Sequence, residues 1–273
     1  MAVTIHPTAI VGDNARLGEG CVVGPFTVIE PGALLSDNND IGAGCHIYAS
    51  VSIGHGNRLM RGACLGGEPQ SFGDRGESTR LVIGDGNWFG EYVTIHRGTR
   101  DTGQTIIGDR NYFMAYSHVG HDCRLGDQII LANGVNLAGH VQIKDRANLG
   151  GGAAVHQFAR VGELAMVGGL ARVSQDVLPF TVMARDNALY GLNRVGIRRS
   201  AYPAAAVPGL KSAYRRFCVY REPLGDFLLW LRQQLPNPFL QVWADFFASG
   251  SQRGYARAER NRGSRQDPAA HPG

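Results

Sequence analysis

The 273-residue sequence has no apolar run approaching the ~20 residues of a membrane-spanning helix, so stable membrane insertion is not expected. Its first residues, Met-Ala-Val-Thr-Ile-His-Pro, have neither the basic nor the apolar segment of a secretory leader, which points to the cytoplasm. Cysteine is scarce and unpaired in pattern. Cys21, Cys45, Cys64, Cys123 and Cys218 are odd in number and form no CxxC spacing, which argues against a disulfide framework or a zinc knuckle. There is no Gly-X-Y period, which excludes collagen, and apolar residues, at 44%, are too frequent and too regular for disorder.

What the chain has in excess is glycine. Its 38 glycines are about twice the usual share, which suggests a repeat with many tight corners. Stepping by six from Ile5 meets Val11, Leu17, Val23, Ile29, Leu35, Ile41, Ile47, Ile53, Leu59 and Leu65. The frame resumes at Ile83, Phe89 and Ile95, and again from Ile107 to Val173. Glycine often follows the large residue, as at Gly12, Gly18, Gly120 and Gly126. Three positions later comes a small or β-branched residue, such as Ala15, Cys21, Cys123 or Ala147. A period of six matches neither a helix nor an isolated strand; it matches a coil of short strands with corners, a parallel β-helix.

Two stretches break the frame, near 68–80 and 98–105, and read as loops thrown out from the prism, either functional or decorative. The pattern ends at Pro179. The β-helix domain is therefore placed at 1–189 and an α-helical domain at 190–258, with helices over Leu210–Arg221, Leu224–Leu235 and Asn237–Phe247. The polar tail begins near Arg253, and 259–273 is expected to be disordered. From Tyr190 onward there are 13 Lys and Arg against 5 Asp and Glu, whereas the remainder has 14 against 18. A basic cap suggests an acidic partner, or simply a solvated basic face; no aromatic-basic platform for nucleic acid is present.

If a coil takes 18 residues, residues 18 apart share a column at the ~4.7–4.9 Å spacing of neighbouring strands. His121 then lies beneath Gly139 and Gln157, and Asp122 beneath His140 and Phe158. His118 stands at the preceding corner, and His156 takes a place usually held by glycine. Such a group suits the activation of an alcohol. Histidine is the side chain best poised to take its proton, a carboxylate fixes the tautomer, and a bare glycine admits a carbonyl and offers an N–H to an oxyanion.

The repeat resembles the left-handed β-helix acyltransferases, in which three hexapeptides make each triangular coil. The handedness follows from that resemblance and not from the repeat. Within that group, His-Val-Gly-His-Asp-Cys (118–123), Leu-Ala-Gly-His-Val (137–141), Val-His-Gln-Phe (155–158), Val-Gly-Gly (167–169), Thr-Ile-His-Arg-Gly-Thr (94–99) and Ala-Asp-Phe-Phe (244–247) look like the UDP-N-acetylglucosamine O-acyltransferases of lipid A synthesis. The resemblance runs from the first coil to about Arg257. It implies His121 as general base, Asp122 as its partner and Gly139 as the oxyanion donor. It further implies substrate contacts from His118, His140, His156, Gln157, Asn193, Arg199 and Gln70, and an acyl-chain gauge at Gly169 and Met166. A homotrimer, an acyl carrier protein as donor, a Gram-negative source and no cofactor or metal are implied as well.

The sequence departs from the family on the acceptor side. Pro69-Gln70-Ser71-Phe72-Gly73 stands where the family usually has Pro-Gln-Asp-Leu-Lys, and Ser200 interrupts a run of arginines. Either the acceptor is a modified UDP-sugar, such as an amino sugar, or binding has moved to groups such as Asp74 and Arg75. Pro203 and Pro208 also fall in a segment expected to be helical. Two other readings stay open: a trimeric scaffold without activity, and a zinc enzyme of the carbonic anhydrase type using His118, His121 and His140.

Overall fold

In the computed structural model, which describes residues 2–258, the six-residue frame becomes a three-sided prism. Its faces are sheets of 12, 9 and 8 strands, and up to residue 173 each strand pairs with the third strand before or after it in the chain. All pairings along the prism are parallel, with a register of 18 residues where no loop intervenes, as in Thr4↔Val22 and His118↔Asn136, shortening to 16 at the last coil (Met166↔Val182). The register lengthens to 30 across the first loop (Arg58↔Trp88) and to 24 across the second (Thr94↔His118). Strands resume at Arg80 and Gln104, so each excursion ends slightly before the point expected from sequence.

The large residue of each hexapeptide points inward, from Val23 to Val173, and the Phe89 and Phe113 rings stack inside at 5.0 Å. The first coil is the exception, with Ile5 45% exposed and Val11 and Leu17 half-buried, because no coil lies beneath it. The glycine that follows is required by close stacking. A Cβ at Gly120 would meet the next coil's backbone at 2.8 Å. One corner departs from the expected small residue. Buried Asn39, Asn57, Asn87 and Asn111 form a ladder in which each carbonyl oxygen accepts the backbone N–H one coil on, at 2.8–2.9 Å. The amides of Asn39, Asn57 and Asn87 are stable there because their nitrogens also donate to neighbouring carbonyls, whereas the Asn111 nitrogen has no such acceptor among the described residues.

The prism ends in an antiparallel hairpin of Thr181–Arg185 and Ala188–Leu192, whose second strand also pairs with Arg257–Ala258. The boundary placed after 189 therefore falls inside a strand, and residues 257–258, at the end of the expected helical domain, return to the sheet. The 259–273 tail lies outside the described residues. Between these strands lie α1 (Arg194–Arg199), α2 (Val207–Tyr214), α3 (Leu224–Gln233) and α4 (Pro238–Ala248). Pro208 does not disrupt a helix: it sits in the first turn of α2, where no N–H is needed. The segment expected to be one helix to Arg221 changes to a wider π-type turn at Arg215–Val219.

The cap is fastened by α4, which buries Phe239, Leu240, Trp243, Phe246 and Phe247, and by Trp243 Nε1 donating to the Pro179 carbonyl at 3.1 Å. Arg160, almost fully buried, joins Asp176 of the prism at 2.8 Å and donates to the Phe246 carbonyl at 3.0 Å. Among the described residues, no helix is long and apolar enough to cross a membrane.

Candidate functional site

The nine-stranded face carries the site. His118 and Asn136 are register partners, and the corner after this strand column presents His121 and Asp122 in one coil, Gly139 and His140 in the next, and Gln157 and Phe158 above. Asp122, His140 and Phe158 all adopt a left-handed backbone (φ 60°, 60° and 65°), which turns the chain at that corner. The His140 N–H donates to the His121 carbonyl at 2.9 Å, fixing the two coils in register. His140 stacks on Phe158 (4.5 Å) and meets His121 edge-on (5.2 Å).

His121 Nδ1 and Asp122 Oδ2 are 2.7 Å apart, and the Asp122 side chain is fully buried. Among the described residues, no partner meets His121 Nε2 and no acceptor meets the Gly139 N–H. Gly139 is bare for a reason the sequence did not reveal. The space of a side chain there is taken by the His121 ring itself, since a Cβ would lie 2.5 Å from Cε1 and 2.6 Å from Nε2.

The second loop supplies partners for Asp122. Thr99 donates through its N–H (3.0 Å) to Oδ1 and through its hydroxyl (2.8 Å) to Oδ2; the Thr102 hydroxyl donates to Oδ1. The Asp122 N–H donates to Thr105 Oγ1 at 2.8 Å. Burial opposes the charge of Asp122, but hydrogen bonds from Thr102, His121 and Thr99 outweigh it and hold the carboxyl below its usual range. His140 Nε2 lies 3.6 Å from Asp122 and 3.9 Å from Asp101 of the same loop. Burial lowers the His140 pKa against the pull of Asp122.

His118 Nδ1 bonds the Thr94 hydroxyl at 2.8 Å, and its ring lies 5.2 Å from that of His96. Burial, with a contribution from His96, pushes His118 down to about 4. His156 and Gln157 are exposed, and His156 Nδ1 lies 3.2 Å from the Gln157 carbonyl. Exposed Met166 is in a strand of the twelve-stranded face and Gly169 in the turn that follows, where it lines a shallow cleft of about 450 Å³ with Leu170, Ala171 and Arg185.

Asn193, Arg199 and Gln70 make no hydrogen bond or ion pair to His121, Asp122, Gly139 or His140 within the described residues of one chain. Asn193 caps α1, accepting from the Gly196 N–H at 2.9 Å and donating to the Leu164 carbonyl at 2.8 Å, so both ends of its amide are engaged. Arg199 is exposed in the last turn of α1, and Gln70 is exposed on the first loop. Asp74, considered as a replacement sugar contact, instead anchors that loop through Arg97 at 3.4 Å, with both side chains nearly buried. Arg75 remains exposed. Within the described residues of one chain, His118 does not join the three-histidine zinc set: the donor atoms that converge within 4.8 Å belong to His121, Asp122 and His140.

A prism of parallel coils with an imidazole, a carboxylate and bare backbone on one face defines a left-handed β-helix acyltransferase. Solved structures agree. The UDP-N-acetylglucosamine acyltransferase from Campylobacter jejuni is similar with a TM-score of 0.87 at 32% identity, covering 94% of this chain and 100% of that one. The Moraxella catarrhalis UDP-N-acetylglucosamine O-acyltransferase also gives 0.87, at 34% identity, covering 93% and 99%. A family model described as UDP N-acetylglucosamine O-acyltransferase, domain 2, matches residues 176–256. Among curated proteins, the acyl-(acyl-carrier-protein)-UDP-N-acetylglucosamine O-acyltransferase of Halorhodospira halophila is 45% identical over 258 residues, 93% of this chain and 99% of that protein. That of Sinorhizobium fredii is 40% identical over 264 residues, 96% and 97% of the two chains. The chain belongs to the UDP-N-acetylglucosamine O-acyltransferase family.

Proposed function

We propose that this protein transfers an acyl chain from the thioester of acyl carrier protein to the 3-hydroxyl of UDP-N-acetylglucosamine, the first step of lipid A synthesis, in the cytoplasm. The observation that carries the reading is the His121–Asp122 pair at 2.7 Å, with Nε2 unpartnered beside the bare backbone of Gly139. His121 Nε2 takes the proton of the sugar hydroxyl as its oxygen attacks the thioester carbon. Asp122 keeps the neutral ring protonated at Nδ1 and steadies the imidazolium that forms. The Gly139 N–H donates to the tetrahedral oxyanion. Collapse of that intermediate breaks the carbon–sulfur bond, and the departing thiolate takes the proton from His121.

His118, His140, His156 and Gln157 line the face on which sugar and pantetheine arm would lie. Gly169 borders the cleft assigned to the end of the acyl chain, and Met166 stands exposed on the strand just before it. In a homotrimer, Asn193, Arg199 and Gln70 would act on a substrate shared with a neighbouring copy. On the cap, Arg216 is paired with Glu222 and Arg257 with the Phe217 carbonyl, while Arg194, Arg198, Arg199, Lys211, Arg215 and Arg232 are exposed and available to an acidic carrier protein.

The test offers acyl carrier protein thioester with UDP-N-acetylglucosamine or its 3-amino analogue and identifies the product by mass. An ester on the hydroxyl sugar is the expected result. An amide formed only on the amino sugar would reassign the acceptor, and no transfer to either would leave a scaffold.

A further inference from the structure

We infer that the excursion at 98–103 is the positioning element of the reaction, with Thr99 and Thr102 fixing the Asp122 carboxylate as the acceptor for His121 Nδ1. This rests on the assignment of His121 as the base. A carboxylate on a two-bond side chain can rotate, and a rotated Asp122 would release the imidazole. Here both oxygens are held: Oδ1 by the Thr99 N–H and the Thr102 hydroxyl, Oδ2 by the Thr99 hydroxyl and His121. Thr105, in the strand that follows, accepts the N–H of Asp122, so backbone and side chain are fastened together.

The platform is itself tied down. Gly103 donates to the Thr99 carbonyl at 2.8 Å, and Gly98 donates to the Arg80 carbonyl at 3.1 Å. A Cβ at Gly98 would meet the Gln104 nitrogen at 2.4 Å, so the neck of the excursion closes only on glycine. The Thr79 hydroxyl donates to the Gly98 carbonyl at 2.5 Å, bracing this loop on the end of the first. A decorative loop has no need to direct three donors at one buried carboxylate.

The chemical consequence concerns where the proton resides. Hydroxyl and amide donors stabilise the anion without offering it a transferable proton, so the proton on Nδ1 stays on the ring and Nε2 stays free. The other charged or titratable groups around Asp122 are His121, His140 from the coil above and Asp101 from the loop, with His96 and His118 beyond His121.

The experiment compares Thr99→Val, Thr102→Val and the corresponding serine variants in steady-state transfer from acyl carrier protein thioester to UDP-N-acetylglucosamine across pH. Each valine variant should lose about tenfold in kcat with both KM values within about twofold, as expected for one hydrogen bond to a charged group that acts on the chemical step. The acidic limb of kcat/KM should move to higher pH. With fewer donors Asp122 is protonated more easily, and while ionised it holds the imidazolium more tightly; both remove the free base at higher pH. Serine should restore rate and limb. Valine variants with parental kcat and limb, or a fall in kcat with an unmoved limb and no rescue by serine, would overturn the inference. If the valine variants do not fold, 15N spectra of the unaltered protein decide: neutral His121 must carry its proton on Nδ1, and an Nε2-protonated ring defeats the role. His121→Ala is measured alongside. A parental rate there removes the base assignment itself, whereas a dead His121→Ala beside unchanged threonine variants removes only the positioning role.

Discussion

The His121 imidazole lies in the space that a side chain at Gly139 would need, 2.5 Å from the place of the missing Cβ. Gly139 is not in the left-handed region, so its backbone tolerates alanine and the conflict is with the ring alone. Gly139→Ala should therefore fold, with a melting temperature within about 4 °C of the parent. Its kcat should fall at least about 100-fold as the base and the oxyanion donor are pushed apart. Calorimetry and steady-state rates check this, and an alanine variant at parental rate would contradict it.

His118 should remain neutral until the pH falls to about 4. Its folded pKa lies below that of the unfolded chain, so between the two the unfolded state binds more protons and stability drops as the medium is acidified. The stability associated with neutral His118 is present above the ordinary histidine range and lost on descent toward pH 4. His118→Asn should flatten this part of the stability–pH curve. NMR titration of the ring gives the direct check, and a midpoint near 6.5 would contradict it.

Arg97 joins the two loops. It pairs with Asp74, donates to the Glu77 carbonyl at 3.0 Å, and bonds Thr79, which in turn holds Gly98. Asp74→Ala leaves the guanidinium nearly buried without its anion and should loosen the first loop. The expected outcome is a severalfold rise in KM for the UDP-sugar, with KM for the carrier thioester unchanged. Equal effects on both substrates would mean that the loop is not on the acceptor side.

Asp176 is fully buried and receives the Arg160 N–H and Nε–H at 2.8 Å each, which holds the guanidinium that in turn donates to the Phe246 carbonyl of the cap. Asp176→Ala leaves a buried cation unpaired and should cost about 3–5 kcal/mol in denaturant unfolding. A loss below about 1 kcal/mol, the range of exposed pairs, would show that the pair does not secure the cap.

The prism was legible because its period is set by stacking. A large residue every six, followed by glycine where the next coil's backbone comes close, has few other solutions. The same 18-residue step placed His121 beneath Gly139 and Asp122 beneath His140, since no loop lies between those coils. It failed wherever an excursion intervened. The register of 24 between Thr94 and His118 brings His96 beside His118, and stepping by 18 does not find it. Thr99 and Thr102 belong to no column, so their convergence on Asp122 could be found only in three dimensions. The cap that Asn193 makes on α1 follows a hairpin that the repeat does not foretell, so this second engagement of its amide was not legible either.

The most direct test is single-turnover transfer from acyl carrier protein thioester to UDP-N-acetylglucosamine by the parent and by His121→Ala, with folding of both verified. Loss of the base should slow the variant about 10²–10⁴-fold while substrate binding persists. Equal rates for the two proteins would contradict the account.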